Sequence, residues 1–140
     1  AKFVAEMAIA LEYDVMLCDP RPNYLDNWTV PGVETTAQLP DDVVREHFSN
    51  PYSGIIALAH DPRVDDMALM EALKTNAFYI GAMGSVRTSA ARRERLPELG
   101  LSSDEIDRLH APIGFQINSK TPAEIAIAVM AEITSVRYQQ

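Results

Sequence analysis

Cysteine is nearly absent from this chain. Cys18 stands alone among 140 residues, so an intrachain disulfide, a multi-cysteine zinc site and a CxxC redox pair are all excluded. Long apolar runs are missing too, and nothing approaches the roughly 20 consecutive residues of a membrane-crossing helix. Positive charge is scarce: 12 Lys and Arg face 20 Asp and Glu, a formal net charge of -8. A protein that coats nucleic-acid phosphates needs a basic field, so that class is disfavoured, as is attachment to anionic lipid. No basic segment followed by an unbroken apolar stretch opens the chain, so no signal peptide is read. A reducing, cytoplasmic setting is expected.

What is present suits one folded domain over 1–140. Hydrophobic residues make up 47% and charged residues 23%, enough apolar surface to offset chain entropy. The chain opens without Met and directly into a helical pattern. Phe3, Met7, Ala10 and Leu11 recur at helical spacing, with Lys2 and Glu6 as an i, i+4 pair. No capping residue precedes them, as expected of a fragment cut from a longer protein.

Helix and strand patterns then alternate. Val15 to Cys18 is a short unbroken apolar run ending at Asp19-Pro20, the pattern of a strand buried on both faces. Residues 21–40 are Pro-rich and read as loop, with a short strand near Glu34 to Thr36. Pro40-Asp41-Asp42 starts a short helix through His47. Gly54 to Ala59 is a second buried strand, ending at His60-Asp61-Pro62. Asp65 or Asp66 is expected to cap the next helix, with Met67, Met70 and Leu73 as its apolar stripe. Ala77 to Ile80 is a third strand, running into the turn Gly81-Ala82-Met83-Gly84-Ser85 and a helix over Val86 to Arg95. Thr121-Pro122-Ala123-Glu124 is a capping box opening the last helix, where Ile125, Val129, Ile133 and Val136 form a stripe. The alternation predicts a three-layer, Rossmann-like α/β fold with a mainly parallel sheet. Its first strand and Gly-rich turn are expected to lie before Ala1.

Ligands of such folds gather at the carboxyl ends of the strands, and the unusual residues fall there. Asp19 lies where a dinucleotide-binding unit carries its ribose-binding acid, about 20 residues past the Gly-rich turn. The alternative is an ordinary Asp-Pro turn. Gly81 to Ser85 follows a strand and opens a helix, so its glycines and free amides favour an anion. Arg87 and Thr88 add charge and a hydroxyl. Arg92, Arg93 and Arg95 are read as surface residues. His60-Asp61 suits a general base with its orienter or a metal-ligand pair, but the two would point apart, and no zinc-type spacing exists. His110 is isolated. No catalytic residue and no metal site are assigned. Cys18, inside an apolar strand, is expected to be an inert thiol.

The series Asp19-Pro20-Arg21, Ala59-His60-Asp61, Tyr79-Ile80-Gly81-Ala82-Met83-Gly84-Ser85-Val86-Arg87-Thr88, His110-Ala111-Pro112-Ile113-Gly114 and Thr121-Pro122-Ala123-Glu124-Ile125-Ala126 resembles the C-terminal Rossmann domain of the XdhC/CoxI family. The likeness runs along nearly the whole chain. It implies an accessory factor that binds the molybdenum cofactor, guards it during sulfuration, and assists its insertion into a xanthine dehydrogenase-type hydroxylase. The partners implied are the apo-hydroxylase and a cysteine desulfurase-type sulfur donor; a homo-oligomer is expected separately, from the unpaired strand edge that an incomplete sheet would leave. The cofactor contacts expected are Asp19, Arg21, His60, Asp61, Gly81, Ala82, Gly84, Ser85, Arg87, Thr88, His110 and Gly114. Amides of Gly81 to Ser85 and of Gly114 would hold phosphate, and Asp19 with Arg21 would contact the distal part. Such a factor would be a non-catalytic chaperone. The family's N-terminal domain, with its own cysteine-bearing segments, is not in this sequence. Two other readings stand beside this one: an NAD(P)-binding oxidoreductase domain, supported by Asp19, and a protein-interaction domain with an empty crevice.

Overall fold

A computed structural model describes residues 1–139. It divides into two compact units, one formed by 1–39 with 114–140 and the other by 40–113.

In the first unit, helix α1 (Lys2–Ala10) packs on the last helix, α6 (Pro122–Arg137). Strands β1 (Val15–Cys18) and β2 (Val33–Thr36) pair in parallel, with Cys18 opposite Thr36. All four residues of β1 are only half-buried, where the apolar run predicts burial on both faces. α6 starts as its sequence dictates. Thr121 accepts the Glu124 amide, Glu124 returns a bond to the Thr121 amide, and Pro122 fills the first helical position, which needs no donor. Ala126, Ala128, Val129, Met130 and Ile133 are its buried residues, whereas Ile127 faces out.

The second unit runs α2 (Pro40–His47), β3 (Gly54–Ala57), α3 (Pro62–Ala72), β4 (Tyr79–Ala82), α4 (Val86–Arg95), a 3-10 turn (Leu96–Leu99), α5 (Ser103–Asp107) and β5 (Leu109–His110). Its sheet is parallel, in the order β3-β4-β5. The crossovers through α3 and α4 are the βαβ units that the alternation predicts. Its core joins Val44 of α2, Ile55 and Ala57 of β3, Leu69, Ala72 and Leu73, Ile80 and Ala82 of β4, and Leu96, Leu101, Ile106 and Leu109.

Several element boundaries differ from expectation: β3 ends at Ala57 rather than Ala59, with Gly54 exposed and Ile56 half-buried, and two further differences bear on the site. Asp61, not Asp65 or Asp66, caps α3: its carboxylate accepts the Arg63 amide, and Pro62 sits at the first helical position. Pro62 is the deciding residue, since proline is tolerated there and not one turn further in. Asp65 is instead buried in the first turn of α3, on one stripe with Leu69 and Ala72, while Met67 and Met70 are half-buried. Second, β4 runs to Ala82, so Gly81 and Ala82 belong to the central strand and not to the turn. His110 ends β5.

Candidate functional site

The strand register sets the site. Ala57 of β3 lies opposite Ala82 of β4, and Gly81 lies opposite His110 of β5. The three chains therefore leave the sheet of the second unit at one edge, at Leu58, Met83 and Ala111.

The β4 exit is the richest in donors. The Met83 amide returns to the Ala57 carbonyl at 3.0 Å, so the turn starts tied to β3. Ser85 caps α4 through a reciprocal pair: its hydroxyl accepts the Thr88 amide at 3.0 Å, and its amide donates to the Thr88 hydroxyl at 2.8 Å. Those two amides are consumed by the cap. Among the described residues, the amides of Gly84, Val86 and Arg87 meet no acceptor. They stand at the positive end of a ten-residue helix, beside the exposed Arg87, which makes no ion pair among the described residues. A Cβ on Gly84 would meet Thr88 Oγ1 at 2.6 Å, so the cap itself requires glycine there.

Gly81 has a different reason to be glycine. A Cβ there would lie 2.7 Å from Ile113 Cδ1 and 2.9 Å from Tyr79 Cε1. The missing side chain lets Ile113 pack on the strand, and the Ile113 amide donates to the Ala82 carbonyl at 3.0 Å. Gly81 and Ala82 are buried sheet residues rather than the phosphate cradle that the sequence suggests. The Tyr79 and His110 rings stack at 4.6 Å, which fixes His110 as a packed partner of the strand.

At the β3 exit, His60 is exposed and adopts a left-handed backbone (φ 59°). Asp61 serves as the α3 cap and also holds the Arg63 guanidinium at 3.0 Å. Neither residue sits on a strand, so the picture of two side chains pointing to opposite sheet faces does not apply.

In the first unit, Asp19 follows β1 and clasps Arg21. Its Oδ1 accepts the Arg21 amide and Nε, both at 3.0 Å, and its Oδ2 accepts Nη2 at 2.7 Å. The Arg21 guanidinium stacks 3.6 Å above the Tyr24 ring. A ribose would have to compete with this two-pronged clasp for the carboxylate. Cys18 donates its thiol proton to the Gln38 carbonyl, and burial, with Asp19 adjacent, pushes the thiol up to about 11. It is a protonated thiol at neutral pH. The Gly114 amide, expected to hold phosphate, donates to Glu132 Oε1 at 3.1 Å. Gly114 is left-handed (φ 91°), and a Cβ would press on the Val129 amide nitrogen at 3.2 Å, so its role is to let the loop lie on α6.

Three residues escape the sequence reading. Asp65, Ser89 and Arg92 are 3%, 2% and 5% exposed, and the last is not a surface arginine. Their signal is spacing. Ser89, Arg92 and Leu96 fall at helical intervals along one buried stripe, so charge alone is a poor guide to the face of α4. Arg93 is also engaged, with its guanidinium donating to the carbonyls of Ile106, Leu109 and Ala111. Arg95 pairs with Asp66 at 3.0 Å. Among the described residues, no three His, Cys, Asp or Glu side chains gather as a metal site, and no helix is long and apolar enough to cross a membrane.

The chain is similar to several known proteins. The chain is 31% identical over its full length to the molybdenum cofactor insertion chaperone PaoD of Escherichia coli (strain K12), covering 38% of that protein. It is 26% identical over 96% of its length to a probable xanthine dehydrogenase subunit of Bacillus subtilis (strain 168), covering 39% of it. The fold matches a crystal structure titled as a xanthine dehydrogenase from Bacillus halodurans, with a TM-score of 0.79 and 24% identity over 99% of this chain and 40% of that one. The chain thus spans about two fifths of the length of these relatives. Residues 1–133 match the family model described as the XdhC Rossmann domain. The fold is Rossmann-like α/β, and the chain belongs to the XdhC family as its Rossmann domain.

Proposed function

We propose that this domain handles the molybdenum cofactor as cargo, within a protein that matures a xanthine dehydrogenase-type hydroxylase. The names of the relatives support an insertion role, and the observation that carries the reading here is the amino end of α4. Three amides without acceptors among the described residues and an unpaired Arg87 suit the phosphate of a phosphorylated pterin. The domain's own contribution is capture: backbone donors take the phosphate, Arg87 neutralises it, and Thr88 holds the turn in shape. Guarding the cofactor during sulfuration, with a cysteine desulfurase-type donor, belongs to the same proposal. The raised Cys18 thiol is a poor sulfur carrier, and no part of the sulfur transfer is assigned to it. A homo-oligomer, delivery to the apo-hydroxylase and a cytoplasmic setting complete it.

The test uses the full-length protein. Purified wild type and Arg87→Ala are incubated with released molybdenum cofactor and separated from free ligand, and the retained pterin is read by fluorescence after oxidation. A lost charge-assisted bond of about 1.5–3 kcal/mol corresponds to roughly a tenfold or greater fall in affinity, with the melting temperature unchanged. Equal retention by the two proteins would overturn the reading. The NAD(P) alternative draws on Asp19, whose carboxylate already serves Arg21. Saturable NADH or NADPH binding with hydride transfer would move the assignment to that class. Binding of the apo-hydroxylase with neither ligand would favour a pure interaction domain.

A further inference from the structure

A buried ion pair spans the two turns that flank this edge. Asp65 Oδ1 accepts the Ala59 amide at 3.0 Å, immediately before His60. Asp65 Oδ2 faces Arg92 Nη2 at 3.9 Å. Arg92 Nη1 donates to the Met83 carbonyl at 3.3 Å, immediately before Gly84. Met83 in turn donates to Ala57. The result is a strut from the exit of β3, through Asp65 and Arg92, to the exit of β4. Asp66 completes the surroundings, 3.5 Å from Arg92 Nε and paired with Arg95. His60 contributes its field to Asp65 from the same exit.

Stability alone is a weak explanation for this arrangement. Moving two charges out of water costs several kcal/mol per ion, and well-packed apolar residues commonly serve as well. Burial raises the Asp65 carboxyl above its ordinary value, so the site resists the charge that it carries. What apolar residues would not supply is a directed donor on the Met83 carbonyl and a directed acceptor on the Ala59 amide. Those two groups fix the backbone on each side of the β3–β4 mouth.

We propose that Asp65 and Arg92 are positioning residues, which hold the turn before α4 so that the amides of Gly84, Val86 and Arg87 converge on one oxyanion. The inference rests on the cofactor reading above. Neither side chain touches the ligand. Arg92 acts through the Met83 carbonyl, and Asp65 acts through Arg92.

Asp65→Asn is the informative variant because it keeps an acceptor for Ala59 and removes the Asp65 charge from Arg92 Nη2, while Asp66 stays 3.5 Å from Arg92 Nε. Amide hydrogen exchange of the ligand-free, full-length protein is followed at Met83, Ser85 and Thr88, which are hydrogen-bonded in the turn, and at Leu73 and Ile80 in the core. Exchange is expected to rise about tenfold at the turn with the core unchanged, although Asp65 makes no bond to that turn. Cofactor affinity is expected to fall by a similar factor. Arg92→Lys keeps the charge but not the forked donor, and is expected to show both effects to a smaller degree. Should Asp65→Asn unfold the protein, Arg92→Lys carries the same comparison, with the Ala59 amide as an added reporter. A uniform rise across turn and core would reduce the pair to a structural one and overturn the proposal. So would a loosened turn with undiminished retention. Failure of wild type to retain cofactor would overturn the cofactor reading instead, while the exchange pattern would still decide whether the two turns are coupled.

Discussion

At the scale of single residues, the glycines separate by what their missing side chains leave room for. Gly84 yields to the Thr88 hydroxyl of the α4 cap, Gly114 to the backbone of α6, and Gly81 to Ile113 and Tyr79. The sequence shows a Gly-x-x-Gly turn and suggests that both glycines admit a ligand. Only the contacts reveal that Gly81 is a packing residue, because its close neighbours come from a loop more than thirty positions away as well as from its own strand. This distinction is measurable. Gly81→Ala forces a Cβ against Ile113 and Tyr79, and overpacking of this kind costs about 1–3 kcal/mol. Urea denaturation is expected to show that loss, with part of it restored in Gly81→Ala/Ile113→Ala, where the clashing branch is gone. Restoration is the sign of a steric cause. An unchanged double-variant deficit would return Gly81 to a backbone role. Thr88 is read in the opposite direction: its hydroxyl serves the cap through three bonds to Ser85, and its amide is spent.

At the scale of elements, the legible parts were those with local chemistry. The α6 capping box and the helix-opening prolines Pro40 and Pro122 are written in consecutive residues, and α6 begins where Thr121-Pro122-Ala123-Glu124 requires. The strand ends were less legible, since the two-residue extension of β4 depends on pairing with Ala57 and His110 rather than on local pattern. Asp65 and Arg92 stayed hidden because partners on separate helices offset their charge, and their place on apolar stripes shows only when burial is known. The α6 cap carries a pH signature. Amides of Lys120 and Thr121 donate to Glu124 and hold its carboxyl below the ordinary value of 4.5. A lowered folded-state pKa gives stability that is present above that value and disappears as the pH falls through the depressed one. Thr121→Ala is therefore expected to cost about 1 kcal/mol at neutral pH. Glu124→Gln is expected to melt below wild type at pH 7 and to converge with it as the pH falls through the depressed folded-state value, where wild-type Glu124 becomes neutral as well. A gap that stays constant with pH would separate the cap from this charge.

At the scale of the whole molecule, the candidate site and the fold's discontinuous half make different demands. Residues 40–113 form one continuous stretch with its own parallel sheet and its own core. Arginines close its loops: Arg93 ties the ends of α5 and β5, and Arg108 donates to the carbonyls of Leu73, Thr75 and Ala77. The other unit joins both ends of the chain, with α1 packed on α6 and against β1. Charge placed in the α6 interior tests how far this division reaches. Ile133 is 4% exposed, so Ile133→Asp puts a carboxylate among the buried apolar residues of α6 at a desolvation cost that Arg137, exposed one turn further on, offsets only in part. The expected outcome is loss of amide protection in α1 and α6, while Leu69, Ile80 and Leu109 keep theirs. Since the amino end of α4 lies in the protected stretch, its oxyanion geometry is expected to persist, and cofactor affinity to fall less than in Arg87→Ala. Simultaneous collapse of both sets of amides would show that the α4 turn borrows its order from the terminal helices, and the capture step would then depend on the chain ends as well as on Asp65 and Arg92.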